Sequence, residues 1–215
     1  MDLVDVWPAF GLTLRTPRLE LRPVRDDDLV GLTDAALGGI HDPAVMPFAF
    51  PWTDQAPDVI GRELARHVWR ERVGTTPDGW TLLFAVIEDG RPIGVQDVRA
   101  TRFAVLRTVS TGSWLTASRQ GIGLGIEMRA AVLAFCFDHL GAEAAESGAI
   151  DWNDRSLGVS RHLGYVENGE RRVVSRADHV EREVLLRLER DAFIRPEWSL
   201  EVAGFDDAVR AQLGA

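Results

Sequence analysis

The chain has 215 residues, 46% of them hydrophobic, which is enough for a sizeable core in one large domain or two small ones and excludes wholesale disorder. A net charge of −9 and a pI near 5.1 argue against a nucleic-acid binder, which carries a basic stripe, and against adhesion to anionic lipid. All 24 basic residues are arginine, so a Walker A lysine, a Schiff-base lysine and a pyridoxal phosphate anchor are excluded.

The first residues show no basic region followed by an apolar run, and no stretch approaches a membrane span. The expectation is a soluble, cytoplasmic protein with one domain over residues 1–190 and a C-terminal extension over 191–215. Leu14 to Val24 alternates, with Leu19 and Leu21 on one face, and predicts a first strand. Asp26, Asp27 and Asp28 supply an N-cap and first-turn carboxylates for a helix ending near Gly38 and Gly39. His41 to Trp52 holds three prolines among Met46, Phe48, Phe50 and Trp52, which look exposed, and reads as an ordered loop. A second helix runs from about Pro57 to Arg72, with Ile60, Leu64, His67 and Val68 at helical spacing. His67 on that face reads as a satisfied core histidine.

Two apolar runs, Trp80 to Glu88 and Pro92 to Val98, flank Asp89-Gly90, a pair that tolerates the positive φ of a tight hairpin turn. Val105 to Leu115 reads as another strand. A glycine-rich turn follows and opens a helix of roughly Gly123 to Leu140, whose stripe of Leu124, Met128, Val132 and Phe135 is a core face. Cys136, between Phe135 and Phe137, is the only cysteine; it reads as a small core residue and cannot form an intrachain disulfide. Glu143 to Ile150 predicts a strand, Ser156 to Leu163 a short helix, and Gly164 to Val174 with Val180 to Leu188 a final strand pair. In the tail, alternation at Trp198, Leu200 and Val202 predicts an extra strand, packed either across a homo-oligomer interface or on its own chain. The order gives an α/β (α+β) fold with a mixed sheet, not an alternating βαβ array.

The turn after the Val105–Leu115 strand reads Thr116-Ala117-Ser118-Arg119-Gln120-Gly121-Ile122-Gly123-Leu124-Gly125. Glycines let the backbone approach a ligand, and the free N–H groups of a first helical turn, with the helix dipole, make a site suited to a diphosphate. A dinucleotide-binding fingerprint would need glycine at Ile126, and a P-loop would need lysine. The same glycines also serve to ease a strand-to-helix corner.

Gln120-x-x-Gly123-x-Gly125 resembles the diphosphate signature of the GNAT superfamily of N-acyltransferases. Asn153-Asp154-Arg155-Ser156 and Leu163-Gly164-Tyr165 are similar to that superfamily's asparagine-to-serine turn and Gly-aromatic strand entry. Leu14-Arg15-Thr16-Pro17-Arg18-Leu19-Glu20-Leu21-Arg22 resembles the opening strand of its ribosomal-protein acetyltransferase (RimJ/RimL-type) branch. The likeness spans about residues 12 to 190, and Ser110 to Asn168 resembles an actinobacterial subgroup that includes succinyl-CoA users. The resemblance implies a GNAT fold whose central sheet splays between its fourth and fifth strands, with flanking helices. Pantetheine would lie in the opening against Trp114 and Leu115. The diphosphate would rest on amides of Gln120, Gly121, Ile122, Gly123, Leu124 and Gly125 with Arg119 or Gln120 nearby, and Asn153 would bond the cofactor arm.

Attack of an amine on a thioester needs a neutral amine, alignment, an oxyanion donor and a stabilised thiolate. The oxyanion donor would be a main-chain N–H at Trp114 or Leu115. Many relatives protonate the thiolate with a tyrosine where Ser160 stands here; the branch's alternative is a serine in the asparagine turn, which Ser156 matches. Ser156 can equally be an N-cap that needs only its side-chain oxygen. Asp151 is the candidate base, acting through water, and Asp97 a second. Phe48, Phe50 and Trp52 either form the acceptor wall or pack as core under a long connection. The histidines His41, His139, His162 and His179 show no metal-ligand spacing, and no metal is expected.

The function expected is transfer of an acetyl group from acetyl-CoA to an amine, whether a protein N-terminus, a lysine or a small amine. Succinyl-CoA is the alternative donor, which would require a cation near the thioester. A catalytically silent acyl-CoA sensor on the same fold is the alternative from another class. Neither nucleic acid nor membrane is an expected partner.

Overall fold

The computed structural model describes residues 1–215. In chain order it contains α1 (Leu3–Val6), β1 (Thr13–Arg15), β2 (Glu20–Pro23), α2 (Asp28–Leu37), α3 (Pro57–Gly74), β3 (Gly79–Glu88), β4 (Arg91–Thr101) and α4 (Phe103–Leu106). Then follow β5 (Thr108–Leu115), α5 (Leu124–Phe135), β6 (Ala144–Ile150), α6 (Asp154–His162), β7 (Val166–Arg176), β8 (His179–Glu189), β9 (Glu201–Ala203) and α7 (Asp207–Leu213). One mixed sheet runs β7-β8-β6-β5-β4-β3-β2-β1-β9, antiparallel except where β5 lies parallel to β6. No helix is long and apolar enough to cross a membrane.

Three local expectations are corrected. The single strand expected over Leu14–Val24 is two, because Pro17 interrupts the ladder and Thr16 N bonds back to Leu19 O, folding β1 onto β2 as a hairpin. The strand expected from Val105 starts only at Thr108, since α4 precedes it, bracketed by Arg102 and Arg107 in the left-handed region (φ 49° and 45°). Met46 is buried, so the loop His41–Trp52 is not the uniformly exposed aromatic surface its composition suggests. The Asp89-Gly90 turn is as expected, with φ of 49° and 75° joining β3 to β4.

The main core lies between the sheet and α5, where Met128, Val132, Phe135 and Cys136 are buried against Phe84, Val98 and Val109. Burial pushes the Cys136 thiol well above its ordinary value, in keeping with an inert core role. On the other face α2 and α3 cover β3 and β4 through Leu32, Leu64 and Val68. The tail's extra strand, β9, pairs with β1 of the same chain, and Trp80 Nε1 donates to Leu213 O at 2.7 Å.

The sheet is splayed as expected, and here the opening falls between β5 and β6 because the first expected strand is two. These strands pair only from Thr108–Ala144 to Ser110–Glu146. Beyond that point β5 continues to Leu115 and β6 to Ile150 without pairing to each other. Arg129, reaching in from α5, spans the opening: it donates to Ser113 Oγ on β5 (3.0 Å), Ser147 Oγ on β6 (3.3 Å) and Ser160 Oγ on α6 (3.0 Å). A buried guanidinium thus ties side chains of both walls together from the α5 face.

Candidate functional site

Where β5 ends, the chain bends through a short 3-10 turn at Ala117–Arg119 and enters α5 over Gly121 and Gly123, whose φ values are 77° and 88°. Only glycine adopts that pair of conformations without strain. None of the main-chain amides from Gly121 to Ile126 donates a hydrogen bond within the chain. The first intrachain donor is Glu127, bonded to Gly123 O at 3.1 Å. Free amides, a helix N-terminus and an absence of side chains over the glycines form an anion cradle beside the open edge of β5.

The cradle is braced by side chains. Gln120 faces inward: its Nε2 donates to Ile40 O (2.7 Å) and Leu115 O (2.8 Å), and its Oε1 accepts from Arg155 Nη1 (2.8 Å). Arg119 is engaged by Glu88. Glu127, buried in the first turn of α5, accepts from Thr16 Oγ1 (2.6 Å) and from the main chain of Arg18 (3.0 Å). Arg18 itself bonds Ile122 O at 2.9 Å and lies 3.3 Å from where a Cβ on Gly123 would stand. Arg18 and Arg155 are therefore the cations beside the cradle that sequence reasoning did not assign. The signal for Arg18 was the Thr16-Pro17-Arg18 turn; its partner Glu127 is distant in sequence, and Arg155 offered none.

Asn153 caps α6, its Oδ1 accepting from Ser156 N at 3.2 Å. Ser156 is thus not the N-cap, which removes the cap-only reading: it sits in the first turn, half-buried, and its hydroxyl makes no hydrogen bond within the chain. Asp151 follows β6, and its Oδ2 accepts from Arg182 Nε at 2.9 Å. Trp114 is half-buried and packs on Trp52 (ring centroids 5.7 Å), which packs on Phe48 (5.6 Å). Phe50 is 65% exposed and stands outside this aromatic row. Arg176, at the end of β7, holds the same loop through Asp54 (2.7 and 3.0 Å) and the carbonyls of Pro43 and Ala44. That pairing lowers the Asp54 carboxyl below its ordinary range.

His67, expected in the core, is about half exposed, because α3 turns that position over the sheet instead of into it. Tyr165 is buried with its Oη 3.4 Å from Thr111 Oγ1, on the α5 side of the opening, and burial raises it above its ordinary value. Arg129 is 4% exposed, has no carboxylate partner and keeps its Nε without an acceptor. Burial pulls it below its ordinary value.

Comparison with known proteins adds to this geometry. Residues 18–166 match the acetyltransferase (GNAT) domain family. Among solved structures, Mycobacterium smegmatis RimJ in complex with CoA-disulfide aligns with a TM-score of 0.66 at 20% identity, over 86% of this chain and 89% of that one. Ribosomal-protein-S5-alanine acetyltransferase from Vibrio fischeri aligns at 0.62 and 17% identity, over 86% and 99%. A GCN5-related N-acetyltransferase from Brucella melitensis aligns at 0.64 and 17%, over 84% and 79%. At these identities the likeness is one of fold.

Proposed function

The chain belongs to the GNAT acetyltransferase family, and on that premise we propose that it transfers an acetyl group from acetyl-CoA to an amine by direct attack on the thioester. The observation that carries this reading is the run of unbonded amides from Gly121 to Ile126 set against the unpaired edge of β5. A diphosphate on those amides places the pantetheine arm along Thr111 to Leu115, with Asn153 bonding the arm from across the opening. Alignment in such a groove supplies much of the acceleration, up to roughly 7–11 kcal/mol for ideal intramolecular geometry. A main-chain N–H at Trp114 or Leu115 meets the oxyanion. Ser156 gives its proton to the departing thiolate, which its uncommitted hydroxyl favours.

Phe48 and Trp52 form one wall of the acceptor side, with Phe50 at its rim. The acceptor is a protein α-amine by analogy with the ribosomal-protein acetyltransferases among the structural neighbours, a lysine or small amine being the alternatives. Arg129 favours a second reading of the donor. A buried guanidinium without a carboxylate, at the closed end of the opening, is the cation that a succinyl tail would require. Calorimetric titration with acetyl-CoA and with succinyl-CoA, followed by free-thiol release with an amine panel, tests all readings. Binding without thiol release would leave only the silent sensor, and absence of binding would overturn the proposal.

A further inference from the structure

The opening between β5 and β6 has a second face, turned away from α5 and toward α3. Residues paired across the sheet form rows on that face. Leu83, Asp97 and Gly112 make one; Thr81, Arg99, Ser110 and Glu146 make the next. The second row is the floor of a cavity of about 510 Å³, walled by Glu71 of α3 and Leu106. Seven of its twelve lining residues carry a polar or charged side chain. Immediately past its inner end, Gly112 and Gly148 stand on opposite sides of the opening, each two residues beyond the last β5–β6 pair, Ser110–Glu146.

Gly112 is small because something lies over it: a Cβ there would stand 2.6 Å from Asp97 Oδ2. The other oxygen, Oδ1, is buried and has no hydrogen-bond partner. Three carboxylates on the β6 and β8 side of the opening are committed to arginines, and Glu71 of α3 stands 3.7 Å from His67. Glu146 pairs with Arg187 at 3.1 Å, Asp151 with Arg182 at 2.9 Å, and Glu183, which overlies Gly148, with Arg171. Asp97 makes no ion pair.

We propose that Asp97 is the base of the transfer reaction, and that the adjoining cavity receives the body of the acceptor, a primary amine carried on a polar, hydrogen-bonding framework. The inference rests on the acyltransferase reading and names the acceptor side of the same site. The acceptor enters from the α3 face with its ammonium at Asp97. The carboxylate takes one proton; the neutral nitrogen forms the C–N bond to the acyl carbon as the C–S bond breaks. The second proton passes to the thiolate through the Ser156 hydroxyl, and Asp97 returns its own to solvent. The products are the amide, free coenzyme A and one proton.

The electrostatics agree. Burial pushes the Asp97 carboxyl above the ordinary carboxylate range, opposed by Arg99 on its own strand, Arg129 from α5, the Gly112 amide and His67 from α3. Glu71, also on α3, adds no cation to that set, while Leu83 and Gly112 bring no charged side chain. An acid raised on folding costs stability once it ionises: the cost is absent below the unfolded value and grows as pH rises through the folded one. Asp97→Asn removes that cost, so the variant should melt no lower than the parent at pH 8, and a loss of activity is not a loss of fold.

Three measurements test the proposal: acetyl-CoA affinity, thiol release with an amine panel across pH, and a carbon-13 NMR titration of the Asp97 carboxyl in the intact protein. Asp97→Asn should keep acetyl-CoA affinity, lower kcat/KM by ~10²-fold or more and remove the acid-side inflection. Ser110→Trp, which fills the cavity, should raise acceptor KM at least tenfold with acetyl-CoA affinity unchanged. Asp97→Asn turnover within threefold of the parent, with the same pH profile, overturns the proposal. If the parent binds acetyl-CoA but no amine in the panel reacts, the base role is overturned, as it is by a carboxyl midpoint within the ordinary range. Failure of the unaltered protein to bind acetyl-CoA is the separate failure of the acyltransferase reading.

Discussion

At the scale of single residues, the cradle and the thiolate donor make distinguishable predictions. Gly125 sits in the first helical turn, where an added Cβ would make an ordinary 3.6 Å contact with Val159. Gly125→Val should therefore stay folded yet lose coenzyme A binding by calorimetry, because a branched side chain covers the amides. Gly123→Val should also lose binding, with an added stability cost of roughly 1–2 kcal/mol, since its φ of 88° is strained for a residue bearing a Cβ. Binding retained within a few fold in both variants would place the phosphate site elsewhere. Ser156→Ala should lower kcat more than donor affinity, because a thiolate donor acts in the transition state. Its melting temperature should hold, since Asn153 does the capping. Equal turnover in Ser156→Ala would end the catalytic role. Asp151→Asn should cost less than tenfold, because its carboxylate is already engaged by Arg182.

At the scale of elements, the loop between α2 and α3 is held at two ends. Trp52 and Phe48 pack toward Trp114 of β5, while Asp54 is gripped by Arg176 from the far hairpin of β7 and β8. The loop thus bridges elements that stand on opposite sides of the sheet opening. Arg176→Ala should loosen the acceptor side, raising acceptor KM several-fold while leaving donor affinity within a factor of two. Steady-state kinetics in both substrates checks this split. The sign of the pH effect is fixed by the lowered Asp54 carboxyl. Its stabilising contribution is complete above the ordinary carboxylate value and disappears as pH falls through the lower folded value. Arg176→Ala and the parent should therefore converge in stability on the acid side and differ most near neutrality, which melting curves across pH would show.

At the scale of the whole molecule, the tail is part of the main core. Val209 and Leu213 of α7 are fully buried, and Val202 and Phe205 pack against the same cluster. Burial of a Val or Leu side chain contributes about 1.5–3 kcal/mol, against total stabilities of about 5–15 kcal/mol. Truncation after Arg195 also strips the acceptor from buried Trp80 Nε1, a loss of about 1–3 kcal/mol. The truncated chain should be unfolded or aggregated at 37 °C by circular dichroism. A cooperative melt within a few degrees of the full chain would contradict the packing described.

The sequence by itself determined the run of strands and helices from α2 to β8 apart from α4, the Asp89-Gly90 hairpin and the glycine turn, because each rests on local periodicity or on φ angles that few residues accept. It also carried the family likeness, through motifs held within short stretches such as Gln120 to Gly125 and Asn153 to Ser156. Other features were decided only in three dimensions. Pro17 splits the first strand because Leu14 has a partner in Leu21, and Gln120 serves as a strut because Ile40 O and Leu115 O converge on it. Ser156 is freed from capping because Asn153 reaches its amide. Arg129 and Asp97 acquire their character from burial on opposite faces of one opening in the sheet. Charge in a low-dielectric interior depends on which groups are brought near and which are kept away, and no spacing along a chain records that.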